Sequence, residues 1–246
     1  MQFFKRILQP STSEVAPEKR RGGQRLAVSP DLPLRVGLCF PARPVAGRDP
    51  WNWKGRIVDC SEQGVRLQFD GQVVATSGES CDLKLDLEEF VLVVPCHISN
   101  VRRQGDLTTI GLGHDITDDD TLQAYRQFLE IVALGATLRP HLRRSLPPGS
   151  NYLVEQYVSE RRSCLNVWRH PANGAVAAAE LLLKDCLVRI VAGHAVEYYA
   201  GTAAVAAQRA AGAPALEIHR LFRWVLPNLS ATVPEDVREF LAKNAE

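Results

Sequence analysis

The chain has 246 residues, 46% hydrophobic and 23% charged, which are the proportions of a soluble globular protein with one large domain or two small ones. A net charge of +1 provides no overall field for DNA, RNA or anionic lipid, so any anion has to be met by a local basic patch. Cys39, Cys60, Cys81, Cys96, Cys164 and Cys186 form no CxxC pair and no Cys/His cluster, which argues against zinc, against any other metal site and against a disulfide framework. Several of them alternate with apolar residues, as buried thiols do in a reducing cytoplasm.

Residues 1–16 read as a tail. Phe3, Phe4, Ile7 and Leu8 surround Lys5 and Arg6 without the long apolar core of a secretory signal, and a Pro-, Ser-, Thr- and Glu-rich leader follows. From residue 17 to about 136 the pattern is that of short strands separated by Gly, Pro and Asp, with strands expected at 34–40, 53–59, 64–69, 81–87, 90–102 and 107–114. Pro95 is expected to bend the fifth of these, because proline lacks the amide that a ladder uses. Pro41–Asp49 reads as an extra loop after the first strand. Six short strands with tight turns suggest a small barrel. Asp118-Asp119-Asp120-Thr121 then opens a helix, with Asp118 or Thr117 as its cap, and Leu122, Tyr125, Phe128, Leu129 and Val132 line one apolar face that closes the barrel. Residues 137–246 read as a separate helical domain. Helices are expected over 152–168 and 175–211, the second rich in Ala and Leu, and two more are opened by Pro214 and Pro234. The fold class expected is therefore α+β: a six-stranded antiparallel barrel with a closing helix, followed by an all-α bundle.

Two short segments carry the chemistry. Arg21-Gly22-Gly23-Gln24-Arg25 holds two arginines four apart just before the first apolar run, with Arg20 directly ahead of them. Asp59-Cys60-Ser61-Glu62-Gln63-Gly64 places a carboxylate, a hydroxyl and a glycine at the joint between two strands. A guanidinium fork donates to N7 and O6 of guanine together, and it also binds phosphate and stacks on aromatic faces. A carboxylate accepts from the N1–H and the exocyclic amine of guanine, a pairing adenine does not offer. Ser61 can serve a base edge or a phosphate, and Gly64 either adopts a positive φ or clears room. Strand alternation puts Trp53, Ile57 and Asp59 on one face.

In this order, Arg21-x-x-x-Arg25, Asp59-x-Ser61-x-x-Gly64, a six-strand pattern and Gly111-Leu112-Gly113-His114-Asp115 leading into a helix, the first half of the chain resembles a PilZ domain, the bacterial receptor module for cyclic di-GMP. The resemblance covers roughly residues 17 to 136. It implies cyclic di-GMP as ligand, Arg20, Arg21, Arg25, Asp59, Ser61 and Gly64 as the ligand-binding residues, no cofactor and no catalysis. It also implies an arginine leader that orders over the ligand and passes the change to an output or dimerisation module. The alternative is a ligand-independent PilZ-like scaffold that acts only through a protein partner. An enzyme would need a polar cluster in the second half, and the one candidate is His194, Glu197 and Asp185, with His219 and Glu217 as further members.

Overall fold

A computed structural model of the chain describes residues 24–43, 51, 53–201 and 208–245. The chain divides into two compact units, one running up to Leu129 and the other from Glu130 onward.

The first unit is built from seven strands: β1 (Leu26–Ala27), β2 (Arg35–Cys39), β3 (Trp53–Ser61), β4 (Gly64–Asp70), β5 (Ser80–Leu87), β6 (Phe90–Gln104) and β7 (Leu107–His114). All pairings are antiparallel, and the order β3-β2-β5-β6-β7-β4 closes on itself through the β3–β4 pair, giving a six-stranded barrel with β1 as an extra strand. Alternation decides what lies inside: Val36 and Leu38, Val65, Leu67 and Phe69, and Cys81, Leu83, Leu85 and Leu87 are all buried, while the residues between most of them face out. Pro95 does not break β6. It pairs in register with Asp82, and its carbonyl accepts from Asp115 N at 2.9 Å on the edge where β7 has already ended, so the missing amide costs the ladder nothing. The irregularity in β6 lies instead between Ile98 and Asn100.

Helix α1 (Asp119–Ala136) starts where the acidic run predicts. The Asp118 carboxylate accepts from Thr121 N at 2.7 Å, and this bond holds the Asp118 carboxyl below its usual range. In the barrel unit Tyr125 and Phe128 on this helix are fully buried, and Tyr125 donates from its hydroxyl to the Ser61 carbonyl at 2.9 Å.

The second unit corrects the expected all-α bundle. It contains a seven-stranded antiparallel meander, β8 (Arg139–Ser145), β9 (Leu153–Val158), β10 (Ser163–Arg169), β11 (Val176–Leu183), β12 (Cys186–Val191), β13 (Glu197–Ala200) and β14 (Gln208–Arg209), paired in sequence order. The stretches expected to be helical at 152–168 and 175–211 are these strands. Leu165, Val167, Ala177, Ala179, Leu181, Leu183, Val188 and Ile190 point to one buried face, a period of two that Ala and Leu do not advertise. Helix α2 (Ala213–Val225), with Pro214 in its first turn, packs on β12 and β13, and α3 (Glu235–Lys243), following Pro234, packs on β11. Both of these helices fall where the two prolines place them.

Inside this unit Arg169 is 1% exposed and makes a dense set of bonds. It donates to Glu155 at 3.0 Å, to the Gly174 carbonyl at 2.9 Å and, as a fork, to both carboxylate oxygens of Asp236. The guanidinium thus ties α3 to the sheet and holds the Asp236 carboxyl below its usual range. The last turns of α1 belong to the same unit, where Lys184 Nζ lies 3.1 Å from Glu130 and Ser163 donates to the Leu134 carbonyl at 2.6 Å. No helix among the described residues is long and apolar enough to cross a membrane. All six cysteines are free thiols; Cys60, Cys81, Cys96 and Cys186 are buried, and burial pushes the first two up to about 12.

Candidate ligand-binding site

Strand β3 is long enough to serve two neighbours on one edge. Its first residues pair with β2, as Val36↔Gly55 and Leu38↔Trp53 show, and its last residues pair with β1, as Leu26↔Cys60 and Ala27↔Asp59. The bond from Val28 N to the Val58 carbonyl, 3.1 Å, continues this docking. Arg25, one residue ahead of β1, is thereby delivered to the end of β3. Its Nε lies 2.5 Å from Asp59 Oδ1.

A β-bulge sits between Ile57 and Asp59, so Val58 is an extra residue on β3. Ile57 is 3% exposed and Cys60 is fully buried, with Asp59 turned outward between them. The bulge overturns the expectation that Ile57 and Asp59 share a face. Trp53 opens the same strand at its other end, six residues and roughly 20 Å from Asp59, so it does not rim this site.

Across the hairpin Asp59 is paired with Arg66, whose Nη2 lies 2.8 Å from Asp59 Oδ2. One carboxylate therefore bridges two guanidinium groups, one per oxygen. The Asp59 side chain is 13% exposed, whereas those of Arg25 and Arg66 are 42% and 48% exposed, so both cations keep donors directed at solvent. Arg66 is absent from the residues singled out by motif. Its signal is the hairpin arithmetic: if Ser61 and Gly64 flank a two-residue turn, Asp59 falls opposite Arg66, ahead of the bulge.

Ser61 and Gly64 shape that turn. The Ser61 side chain, 4% exposed, donates to the Gly64 carbonyl at 3.3 Å and accepts from Gln63 N at 3.4 Å. Gly64 has no positive φ. A Cβ there would stand 2.0 Å from the Leu112 carbonyl oxygen, so glycine is what allows β4 to approach β7 at the pair Gly64↔Gly113. Beside the turn His114 donates from Nδ1 to the Glu62 carbonyl at 3.2 Å and meets Tyr125 edge-on at 4.3 Å between ring centres. Its Nε2 is buried with no hydrogen-bond partner, and burial holds the imidazole below its usual pKa.

These elements frame an open cleft of about 390 Å³, with Arg25, Arg66, Arg102 and Asn100 around a floor that includes Gly111 and Gly113. Gly111 lies opposite both Arg66 and Asn100, and glycine there makes room for the Asn100 amide, which a Cβ would meet at 2.5 Å. The cleft suits an anionic ligand: guanidinium donors stand on its rim, two of them held by Asp59 beside it. Arg20 and Arg21 lie outside the described residues.

The second unit does not bring together the polar cluster that an enzyme would need. Asp185 precedes β12 and His194 follows it, so the two occupy opposite ends of that strand. Glu197 sits on β13, where it accepts from Tyr199 at 2.8 Å and pairs with Arg209 at 3.3 Å. His219 meets the Tyr198 hydroxyl at 2.7 Å through Nδ1. Among the described residues no group of three or more His, Cys, Asp or Glu is placed to hold a metal ion.

Residues 19–130 match the family model of the PilZ domain. Among solved structures, the chain is similar to the Borreliella burgdorferi PlzA protein in complex with c-di-GMP, at 11% identity and a TM-score of 0.31 over 73% of this chain and 78% of that one. No curated protein matches the sequence.

Proposed function

We propose that the chain is a cyclic di-GMP receptor in which Arg20, Arg21 and Arg25 clamp the ligand and Asp59 reads its guanine. The observation that carries this reading is the placement of Arg25 on Asp59 within the residues that match the PilZ family model: the arginine segment reaches the acidic hairpin, as a shared ligand requires. The N7 and O6 acceptors of guanine and the phosphate oxygens draw Arg25 and Arg66 toward the cleft. Asp59, relieved of part of its pairing, turns to the guanine N1–H and amine. Ser61 and Gly64 hold the hairpin that presents this carboxylate. Ordering of the arginine leader is the signal in this reading, and the unit from Glu130 onward is the output or dimerisation region, which acts on an unassigned protein partner. A ligand can drive such a change only through its different affinities for the two arrangements.

Calorimetric titration with cyclic di-GMP tests the reading. The wild-type protein is expected to bind, and Arg21→Ala and Arg25→Ala each weaken binding by roughly ten- to a hundred-fold, the effect of losing a charged hydrogen-bond donor. Linear GMP binds far less well, since it lacks the second base and the closed ring. Absence of heat with all proteins favours the ligand-independent scaffold, and equal heats for wild type and variants overturn the clamp assignment.

A further inference from the structure

The barrel carries a second recess, which shares only β3 with the Asp59 cleft and uses the opposite end of that strand. On the outward face of β2, β3 and β5, Gly37 is paired with Lys54 on one side and with Lys84 on the other. At strand spacing the two lysines stand roughly 10 Å apart at their Cα atoms, with a residue lacking a side chain between them. Arg35, two residues along β2, points the same way and is paired with Asp86 of β5. Asp86 also lies 3.8 Å from Lys84 Nζ. Trp51 leans over the gap, for a Cβ on Gly37 would sit 3.1 Å from Trp51 Cβ and 3.6 Å from the edge of its indole ring. The result is an open cavity of about 580 Å³ lined by Arg35, Lys54, Lys84, Trp51 and Asp86. In the ring of strands β2 stands opposite β7, so this recess faces away from the Asp59 cleft.

We propose that this recess is a second ligand site that takes a nucleotide, its base stacked on Trp51 and its phosphate held by Arg35, Lys54 and Lys84. Three cations and one carboxylate bracket a single recess, an excess of positive charge in a chain whose overall charge is only +1. An indole face at the rim supplies what a bare phosphate site would not need: a surface that gains from a flat aromatic ring. The volume falls in the range of small-molecule sites, about 300–1,000 Å³, and exceeds what one phosphate fills. Asp86, 3.8 Å from the Lys84 ammonium and opposite Arg35 in register, offers an acceptor to ribose hydroxyls or a base amine.

Adenosine 5′-monophosphate is the probe, because its adenine does not complement the guanine-reading carboxylate proposed for Asp59. Titration of the full chain, followed by calorimetry and tryptophan fluorescence, is expected to give saturable binding tighter than that of ribose 5-phosphate or of adenosine. The double variant Lys54→Ala/Lys84→Ala lowers the affinity roughly tenfold or more while its response to cyclic di-GMP stays that of wild type. Trp51→Phe retains binding and Trp51→Ala loses it. Binding to wild type persists with cyclic di-GMP present at saturation. Equal responses to the nucleotide and to ribose 5-phosphate overturn the assignment of Trp51. An affinity unchanged in the double variant, or no saturable response, overturns the site. Because adenosine monophosphate is followed separately from cyclic di-GMP, either site can fail without the other.

Discussion

Asp59 carries one guanidinium on each carboxylate oxygen, which makes Arg66 as consequential to the cleft as Arg25. Arg66→Ala is expected to weaken cyclic di-GMP by roughly tenfold in calorimetry, because it removes a charged donor from the rim and leaves Asp59 to Arg25 alone. Gly64→Ala is a different case. The added methyl meets a carbonyl oxygen of the neighbouring strand, which cannot swing aside as a side chain would. A loss of about 1–3 kcal/mol in urea unfolding is expected, with weaker ligand binding only as a consequence. His114 predicts a pH dependence. Burial lowers its pKa from 6.5, so between the folded and unfolded values the unfolded chain binds the proton that the folded chain refuses. The stability tied to the neutral ring is whole above the unfolded value and declines as pH falls toward the folded one. His114→Gln should therefore flatten the fall in the urea midpoint from about pH 7 to about pH 5.

Among the elements, the Glu155–Arg169–Asp236 network fixes helix α3 to the second sheet. Glu155 is 5% exposed and also accepts from Arg144 at 2.7 Å, so Glu155→Ala removes the carboxylate that two guanidinium groups share and leaves Arg169 to Asp236 and the Gly174 carbonyl. A loss of about 1.5–3 kcal/mol is expected by urea denaturation, with Glu155→Gln milder because it keeps an acceptor. The barrel strands were legible in the sequence, since runs such as 81–87 alternate strictly and end at turn residues. The second sheet was not, for a local reason. Two of its hairpins, β9–β10 and β11–β12, turn through Arg162 at φ 58° and Lys184 at φ 54°, positions where glycine or asparagine would have announced a turn. With those signals missing, the small residues Ala177 and Ala179 followed by Leu181–Leu183 read as helix by propensity, and tertiary burial on one face overrode it. In the site, Arg25, Asp59 and the Ser61–Gly64 turn could be found by type and spacing. Arg66 belongs to no such motif, and only counting back from the turn, Ser61↔Gly64, Cys60↔Val65, Asp59↔Arg66, brings it to the carboxylate.

The chain as a whole is dominated by strands: among the described residues there are three α-helices, of 18, 13 and 9 residues, in a protein of 246. Far-UV circular dichroism is expected to show a β-type spectrum with a minor helical component. A spectrum rich in helix would overturn the second sheet and restore the bundle that composition alone suggests.

Val58 has a meaning of its own for variation in this protein. Between Arg56 and Ser61 it is the one position on β3 with no counterpart across the hairpin, and its carbonyl is where Val28 is moored. A chain shortened by that single residue would keep the hairpin in step, with Asp59 still facing Arg66, yet forfeit the hook for the incoming leader. Length at this point, rather than side-chain identity, sets whether the leader gains this mooring beyond the pairs Leu26↔Cys60 and Ala27↔Asp59, so an alignment that treats the position as an ordinary gap would overlook its effect.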